Sequence, residues 1–434
     1  MNGAGSPPSG SLRMTPAMRV VVITEGIPHP TVGASAVLFY HYIHALVEAE
    51  HDVLGIVIAA HGADTKALAE YQQPLASIGR FQLLCLQGDR SLIPEKWGVI
   101  TRFDQFPSLP FSVEQFKPDV ILAFDVAMAG LVAPMHARLK LVWLGDLLFE
   151  SNWYNYRYSM REDWKAYRWL PYALAQSNEW KKIYRKALKS FDRIVVSSHS
   201  SVATLQKLGL RSTFLPYPWP NQGAVDRNIE RSPAKRPTFL FFGNLVGLGS
   251  RSSLHFLLDK VYPRLIELWG ANGFSVIVGG AASPRGWMVG EIAARPEFAF
   301  EGFIDDLLQR MAECHAVITP LDVPVGNRSR IITAWAKRAL VVSHANAARG
   351  NPELVDGQTA LLARDALEFV DRMRFAYEQP AACEEIINRA ERVYLENYSP
   401  DCAAQAFVDM IALASGAQQD RSAFEPSAKA GVMQ

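Results

Sequence analysis

Cysteine is scarce in this chain: Cys85, Cys314, Cys383 and Cys402 are the only four in 434 residues, and no two form a C-x-x-C pair. That spacing argues against a disulfide framework or a cysteine zinc site and suits a reducing compartment. Long apolar runs are also lacking. A membrane-spanning helix needs about 18 or more apolar residues in succession, and the best stretch, "PDVILAFDVAMAGLVAPM", is broken by Asp119 and Asp125. The chain is therefore expected to be soluble or at most peripheral to a membrane. Charge of one sign is missing as well. The formal net charge is +1, so nothing global favours nucleic acid, and any basic surface must be local.

Two nucleotide fingerprints are absent. A dinucleotide dehydrogenase needs G-x-G-x-x-G directly after its first strand. Here the residues after Thr24 read "EGIPHPTVGAS", and "GLGSRS" at 247–252 lacks the third glycine. No P-loop pattern occurs either. The first 17 residues, "MNGAGSPPSGSLRMTPA", are small, polar and rich in Pro and Gly, with no apolar core for a signal peptide, and read as a disordered leader.

What is present is a globular composition, 49% hydrophobic and 20% charged, in a chain long enough for two or three domains. Short aliphatic runs alternate with longer amphipathic segments, the rhythm of parallel strands joined by crossover helices. In the first half the strands are predicted at 19–24, 53–58, 81–86, 119–124, 140–144 and 193–198, with helices at 35–49, 178–190 and 199–208. The stretch from Pro216 to Pro237 is rich in Pro and charge and reads as a linker. The rhythm then restarts, with strands at 238–244, 274–280, 298–302, 316–320, 340–343 and 360–363. Helices are expected near 253–269, 305–313, 328–338 and 366–377, followed by two more at 381–396 and 402–414. The expected fold class is α/β, with two Rossmann-like doubly wound domains facing a central cleft that receives ligands at the carboxyl ends of the strands. The limits drawn are 18–220 for the first domain, 221–237 for the linker, 238–400 for the second, 401–416 for a C-terminal helix and 417–434 for a disordered tail.

One segment raises an electrostatic question. In "PVGNRSRIITAWAKRALVVS", Arg328 and Arg330 fall in the first turn of a predicted helix, just after Gly326 and Asn327. A helix N-terminus carries partial positive charge, so two cations there need a negative partner. A glycine-led helix start is an anion site, and guanidinium groups grip phosphate oxygens in pairs. The plainer alternative is that Asp322 pairs with one arginine and solvent takes the other.

The second half resembles the GT-B glycosyltransferases, in particular the retaining family 4-like group, the group 1 glycosyl transferases. "FGNLVGLGSRSSLHFLLDKVYPRL" keeps the frame of that family's "F-V-G-S-L … P-N … F … V-x-P-x-L", with Gly249 and Ser250 in place of Pro-Asn. "FSVIVGG" resembles its second strand, and "EGFIDDLLQRMAECHAVITPL" resembles "G-F-V-D-D-L … A … V-x-P-L". "GNRSRIITAWAKRALVV" resembles "G-x-R-x-K-x-x-E-A-x-A-x-G-x-P-V-V". In the first half "VGASAVLFYHYIHALVEAEHDV" and "RKALKSFDRIVVSSHSS" match more weakly.

The resemblance implies an N-terminal acceptor domain and a C-terminal nucleotide-sugar domain. Arg328 and Arg330 would neutralise the leaving diphosphate, with Asn327 beside them. Thr333 stands where the family places a glutamate on the ribose hydroxyls, and Val325 where it places an earlier glutamate. Gly243 and Asn244 would face the phosphates, or simply form a tight turn. Arg251 would reach the same diphosphate, or be an exposed helix-start arginine. Phe303 and Ile304 fall where the base lies, or pack in the core. Gly33 falls in the first-domain loop facing the cleft, or simply leads a helix. Asp146 falls where a His-Asp pair is common, with Gly145 replacing the histidine. Asp146 and Glu150 would bind the sugar or acceptor hydroxyl, or serve as caps or solvated groups.

Between residues 152 and 193 aromatic and basic residues interleave, as in "NWYNYRYSMREDWKAYRWLPY" and "EWKKIYRKALKSFDR". Residues 157–193 hold ten Lys/Arg against four Asp/Glu, enough to seat the chain on an anionic membrane carrying a lipid-linked acceptor. The same pattern fits amphipathic helices covering a sheet with snorkelling basic edges. The expected activity is transfer of a hexose-type sugar from a nucleoside diphosphate to a glycan or lipid-linked acceptor. Retention is expected, with no metal, no cofactor beyond the nucleotide-sugar co-substrate and no nucleic acid partner. It is placed in the cytoplasm or peripherally on the inner face of a membrane. A nucleotide-sugar epimerase and a catalytically silent, nucleotide- or glycan-binding relative are the alternatives, the latter favoured by Thr333 and Gly145.

Overall fold

The computed structural model describes residues 17–30, 34–60, 81–88, 115–221, 233–280, 286–326 and 328–423. The leader through residue 16, most of the linker (222–232) and the tail from 424 lie outside the described residues. The first half follows the order β1 (Arg19–Thr24), α1 (Ala34–Glu48), β2 (Asp52–Ala60), β3 (Phe81–Gly88), β4 (Val120–Phe124), α2 (Asp125–Val132), β5 (Leu139–Leu144) and α3 (Leu148–Glu162). A 3-10 turn (Trp164–Trp169) then leads into α4 (Leu170–Leu188), β6 (Arg193–Val196), α5 (His199–Lys207) and β7 (Thr213–Phe214). Its seven parallel strands lie in the order β3-β2-β1-β4-β5-β6-β7. Strands β4 and β5 are buried along their whole length, so β4 reads as an unbroken apolar run, and β5 is interrupted only by Lys140, whose ammonium donates to the carbonyls of Ala133 and Met135.

The second half contains β8 (Thr238–Phe242), α6 (Leu248–Phe256), a π-helical turn (Leu257–Val261), α7 (Tyr262–Trp269), β9 (Ser275–Gly279), α8 (Gly286–Ala293), β10 (Phe298–Gly302) and α9 (Leu307–Ala312). It continues with β11 (Ala316–Thr319), α10 (Ser329–Ala336), β12 (Val341–His344), a 3-10 turn (Ala345–Arg349), β13 (Leu361–Ala363) and α11 (Ala366–Glu378). Its six parallel strands follow β10-β9-β8-β11-β12-β13. Strand order reverses at β1/β4 in one sheet and at β8/β11 in the other. Each reversal opens a crevice at the carboxyl ends, where ligands of such sheets bind. The two-domain α/β expectation therefore holds.

Three helices escape the sequence reading. Helix α2 sits in the stretch tested as a membrane span. Helix α3 carries the Trp, Tyr and Arg residues of the basic segment, and α8 follows a segment outside the described residues. Among the described residues no helix is long and apolar enough to cross a membrane.

Two further helices, α12 (Pro380–Asn397) and α13 (Pro400–Ala423), end the described residues. Helix α13 runs past residue 416, into the stretch drawn from composition as a tail. It packs against α1 and β5 rather than staying with the second sheet. The ring of Phe407, fully buried, lies 4.4 Å from that of Tyr42 between centroids. One buried cluster therefore joins Leu38, Tyr42 and Trp143 of the first domain to Phe407, Val408 and Ile411. The chain's last helix completes the core of its first domain, and the two domains cannot separate without moving it. Phe407→Ala should cost about 3–5 kcal/mol through the cavity it leaves, read as an earlier transition in urea denaturation.

Candidate functional site

The carboxyl ends of β8 and β11 and the start of α10 enclose a pocket of about 390 Å³, lined in part by Phe242, Gly243, Ser250, Arg328, Arg330 and Thr333. Asp146, after β5 of the first domain, and Trp219, at the domain junction, complete it from the other side. Next to it, sharing Phe242, Gly243 and Asn244, is a pocket of about 350 Å³ walled by Gly279, Gly280, Phe303, Ile304 and Leu307. A larger depression of about 700 Å³ lies between β13 and α11. Its arginines are already spent on neighbours, Arg364 on Glu368, Arg372 on Asp356 and Arg374 on Asp371.

The two cations of the opening question lie around the first pocket, Arg328 buried and Arg330 half-buried, and are held in different ways. Arg328 is only 3% exposed. Its guanidinium donates to the carbonyls of Val325 at 2.6 Å and Val323 at 3.3 Å, holding the loop that precedes α10. Arg330 donates through Nη2 to Ser250 Oγ at 2.8 Å and lies 4.7 Å over the Phe241 ring. Burial pulls both guanidinium pKa values down to about 10; Asp146 opposes the shift at Arg328, and Arg328 itself adds to it at Arg330. Both stay charged at neutral pH, so the pocket holds more positive charge than the protein balances. The Nε atoms of Arg328 and Arg330 and the hydroxyl of Thr319 are buried without a partner among the described residues. Asp322 does not pair with either arginine through a salt bridge; its Oδ1 accepts the Tyr158 hydroxyl at 2.6 Å.

Backbone shape follows the same demand. Gly243 has φ +137°, and a Cβ there would stand 2.9 Å from Arg330 Nε, so only glycine lets the end of β8 meet the guanidinium. Gly326 has φ +93°, and a Cβ there would lie 3.2 Å from an Asp146 carboxylate oxygen. Glycine at this position lets the first domain approach the loop. The N-termini of α6 and α10 both open on the pocket through Gly247, Gly249, Ser250 and Ser329. Two helix starts and two cations thus converge on one space, the arrangement of a polyanion site.

The remaining expected residues divide. Asn244 is exposed at the junction of the two pockets, its Oδ1 accepting from Val246 N–H at 3.1 Å. Phe303 is 69% exposed, which rules out simple core packing, and Ile304 lines the same wall. Thr333 lines the first pocket and accepts Trp219 Nε1–H at 2.8 Å. Glu150 lies outside the pocket lining. Its carboxylate accepts from Thr204 at 2.9 Å, and burial raises its pKa. Gly33 and Asn327 lie outside the described residues.

Arg251 corrects both sequence-based readings. It is neither at the pocket nor exposed: at 2% exposure it grips Glu162 of α3 bidentately, Nη2–Oε2 2.7 Å and Nε–Oε1 3.1 Å. Asn155 and Ser159 of the same helix take its other hydrogens. His255 stacks between Tyr158 and Trp287 and also reaches Glu162 at 3.2 Å. Arg161 meets Asp259, and Tyr158 packs with Leu321, Val323 and Val325. Helix α3 is thus clasped to the second domain along one side. Sequence spacing offers no sign of this, because the partners are some 90 positions apart.

Asp125 was seen in the sequence only as a flaw in an apolar run. It begins α2 at φ +72°, a conformation uncommon outside glycine and best tolerated by asparagine and aspartate. Its Oδ1 accepts from Val126 N–H at 2.6 Å. Burial, with Glu25 and Asp146 nearby, pushes its pKa up to about 7. Among the described residues no group of His, Cys, Asp and Glu is placed to hold a metal ion.

Two Rossmann-like sheets facing a cleft, with a cationic cradle on the second, define the GT-B class. Residues 236–379 match the family described as Glycosyl transferases group 1. The chain has the GT-B fold, and its second domain is similar to the group 1 glycosyl transferases. It is similar to a glycosyltransferase from Rickettsia africae at 12% identity, with a TM-score of 0.62, 92% of this chain and 99% of that one covered. It is similar to HepE of Anabaena in complex with UDP and glucose at 14% identity, with a TM-score of 0.60 and coverage of 91% and 99%. Sucrose-phosphate synthase from Thermosynechococcus elongatus gives 14% identity, a TM-score of 0.63 and coverage of 92% and 100%. No curated protein matches the chain in sequence.

Two outcomes follow from this geometry. Glu162→Gln should cost about 3–5 kcal/mol because it leaves the buried Arg251 guanidinium without an opposing charge, while the Arg251→Met/Glu162→Met double variant should recover most of the loss in urea denaturation. A native pKa near 7 means that folded Asp125 keeps its proton where the unfolded residue, with an ordinary value of 3.8, has lost it. Stability from this residue is therefore present below about pH 4 and lost as pH rises to about 7. Asp125→Asn, which tolerates the same backbone conformation, should raise Tm relative to wild type at pH 8 and leave it nearly unchanged at pH 3.

Proposed function

We propose that the chain is a glycosyltransferase that moves a hexose-type sugar from a nucleoside diphosphate to a glycan or lipid-linked acceptor. The observation that carries this reading is the pair of guanidiniums whose buried Nε–H groups have no partner among the described residues and whose shared pocket is under-supplied with negative charge. A diphosphate supplies that charge. Its developing negative charge on departure meets Arg328, Arg330 and two helix N-termini already in place, so no reorganisation is needed as the bond to the sugar breaks. The apolar wall of Phe303 and Ile304 takes the base. The related fold of HepE, solved with UDP, UDP and glucose, and UDP-glucose, supports a nucleotide-sugar donor.

Asp146 is the one carboxylate among the described pocket residues. It faces the donor from the first domain and binds a hydroxyl of the sugar or acceptor. A nucleotide-sugar epimerase needs a pair of acid–base groups, and the described lining holds one carboxylate. Transfer proceeds with retention, the donor phosphate itself helping to deprotonate the acceptor, and without a metal ion. Trp164, Tyr167 and Trp169, exposed at 76%, 60% and 46%, stand with Lys165 and Arg168 on the turn after α3. That surface suits peripheral seating on an anionic cytoplasmic leaflet, close to a lipid-linked acceptor.

The second reading is a silent binding relative. It rests on Thr333, whose oxygen is engaged by Trp219 rather than presented as a carboxylate. A thermal-shift panel of nucleoside diphosphates and their sugars, followed by mass spectrometry of released nucleotide, separates the two. One nucleotide should stabilise the chain, and Arg330→Ala should weaken it by about ten- to a hundredfold through loss of a charge-assisted contact. No shift with any nucleotide would overturn the proposal, and binding without turnover would favour the silent relative.

A further inference from the structure

Trp219 and Thr333 form one wall of the donor pocket, and the bond between them uses atoms that a sugar hydroxyl would otherwise meet. The indole is fixed on its backbone side. Trp219 N–H donates to the Tyr398 carbonyl at 2.8 Å, and its own carbonyl accepts the Tyr394 hydroxyl at 2.9 Å. Its Nε1–H then donates to Thr333 Oγ1 at 2.8 Å. Thr333 stands three residues beyond Arg330 on α10, about one helical turn. A nucleoside diphosphate with phosphates at the arginines and its base against Ile304 and Phe303 must pass its pentose between those ends. Thr333 and Trp219 line the pocket of the arginines, which meets the pocket of Ile304 and Phe303 at Phe242, Gly243 and Asn244.

Among the described residues this passage has no carboxylate of its own. Asp146 is the single one among the described pocket residues, and it stands beside Gly326 and Arg328, at the phosphate end. A carboxylate accepts hydrogen bonds from both hydroxyls of a ribose diol, and charge makes those bonds strong. The Thr333 oxygen is neutral, already accepts one hydrogen bond, and has beside it an indole that is mostly apolar surface. A pentose lacking one hydroxyl would leave no charged acceptor unpaired at the Thr333–Trp219 wall, so its absence costs little.

We propose that this pocket does not read the 2′-hydroxyl, and that it takes 2′-deoxyribonucleoside diphosphates and ribonucleoside diphosphates alike. Trp219 and Thr333 are the specificity-determining residues. The inference rests on the donor-site reading above and narrows its substrate class to donors that include deoxynucleotide sugars such as those of thymidine diphosphate.

Calorimetric titration of the full chain with UDP and 2′-deoxy-UDP, GDP and 2′-deoxy-GDP, ADP and 2′-deoxy-ADP, and thymidine diphosphate tests it. For whichever base binds best, the ribose and deoxyribose forms should differ in Kd by no more than about threefold. Thr333→Glu should open a preference for ribose of about tenfold or more, because it supplies the charged acceptor. A wild-type preference for ribose of about tenfold or more overturns the inference and leaves the donor site standing; this measurement needs no variant. A folded, nucleotide-binding Thr333→Glu chain with an unchanged ratio overturns the placement of this wall against the pentose. No binding by any of these nucleotides overturns the donor site, and the inference with it.

Discussion

Everything at the cleft depends on placing two guanidiniums at the start of one short helix. The helix N-terminus repels them, burial penalises their charge, and among the described residues only Asp146 offers a nearby opposing charge. The protein meets part of the cost with neutral groups: the carbonyls of Val323 and Val325 for Arg328, the Ser250 hydroxyl and the Phe241 ring for Arg330. These fix position without cancelling charge. The shape of the surrounding backbone follows from that choice, from Gly243 giving way to Arg330 to Gly326 admitting Asp146. A pocket of this kind is organised for an anion before the anion arrives.

The second constraint is that the two domains must hold this pocket between them. A cleft formed by independent domains would gain or lose Asp146 and Trp219 as they moved. Here α3 is tied down by Arg251 and Glu162, by Tyr158 and Asp322 and by the apolar contacts beneath them. On the opposite side of the chain's path, α13 returns to the first domain and buries Phe407 against Tyr42. The start of α5 adds His199 N–H to the Gly350 carbonyl and Ser200 to the Pro324 carbonyl. The closed arrangement therefore rests on several small contacts of different kinds. Buried ion pairs specify geometry more than they add stability, and the apolar contacts supply most of the cohesion.

The sheets were legible in the sequence for a physical reason. A parallel strand covered on both faces is apolar at nearly every position, so "DVILAF" marks β4 to within one residue of its observed bounds. Helices lying over the outside of a sheet carry weaker marks. Helix α3, dense in Trp, Tyr and Arg, reads as a surface segment until its clasp partners are known. Helix α2 was obscured because its strand-like neighbours share its composition. At the site, Arg328 and Arg330 stood out by being electrostatically wrong for their place in a helix, and Thr333 by its departure from the group 1 pattern.

Local chemistry thus determined the alternating fold, the cationic helix start and the unusual threonine, since each is a property of a few consecutive residues. Which partners those residues meet was decided only by tertiary structure. Arg251 sits at a helix start as a phosphate-binding arginine would, and folding delivers it instead to Glu162 on another domain. Trp219 lies in a Pro-rich stretch with the look of a linker, and folding places its indole on Thr333. Both contacts join positions some 90 to 115 residues apart. No periodicity or capping rule reaches across such a separation, because the forces that bring the pairs together belong to the packing of whole sheets and helices.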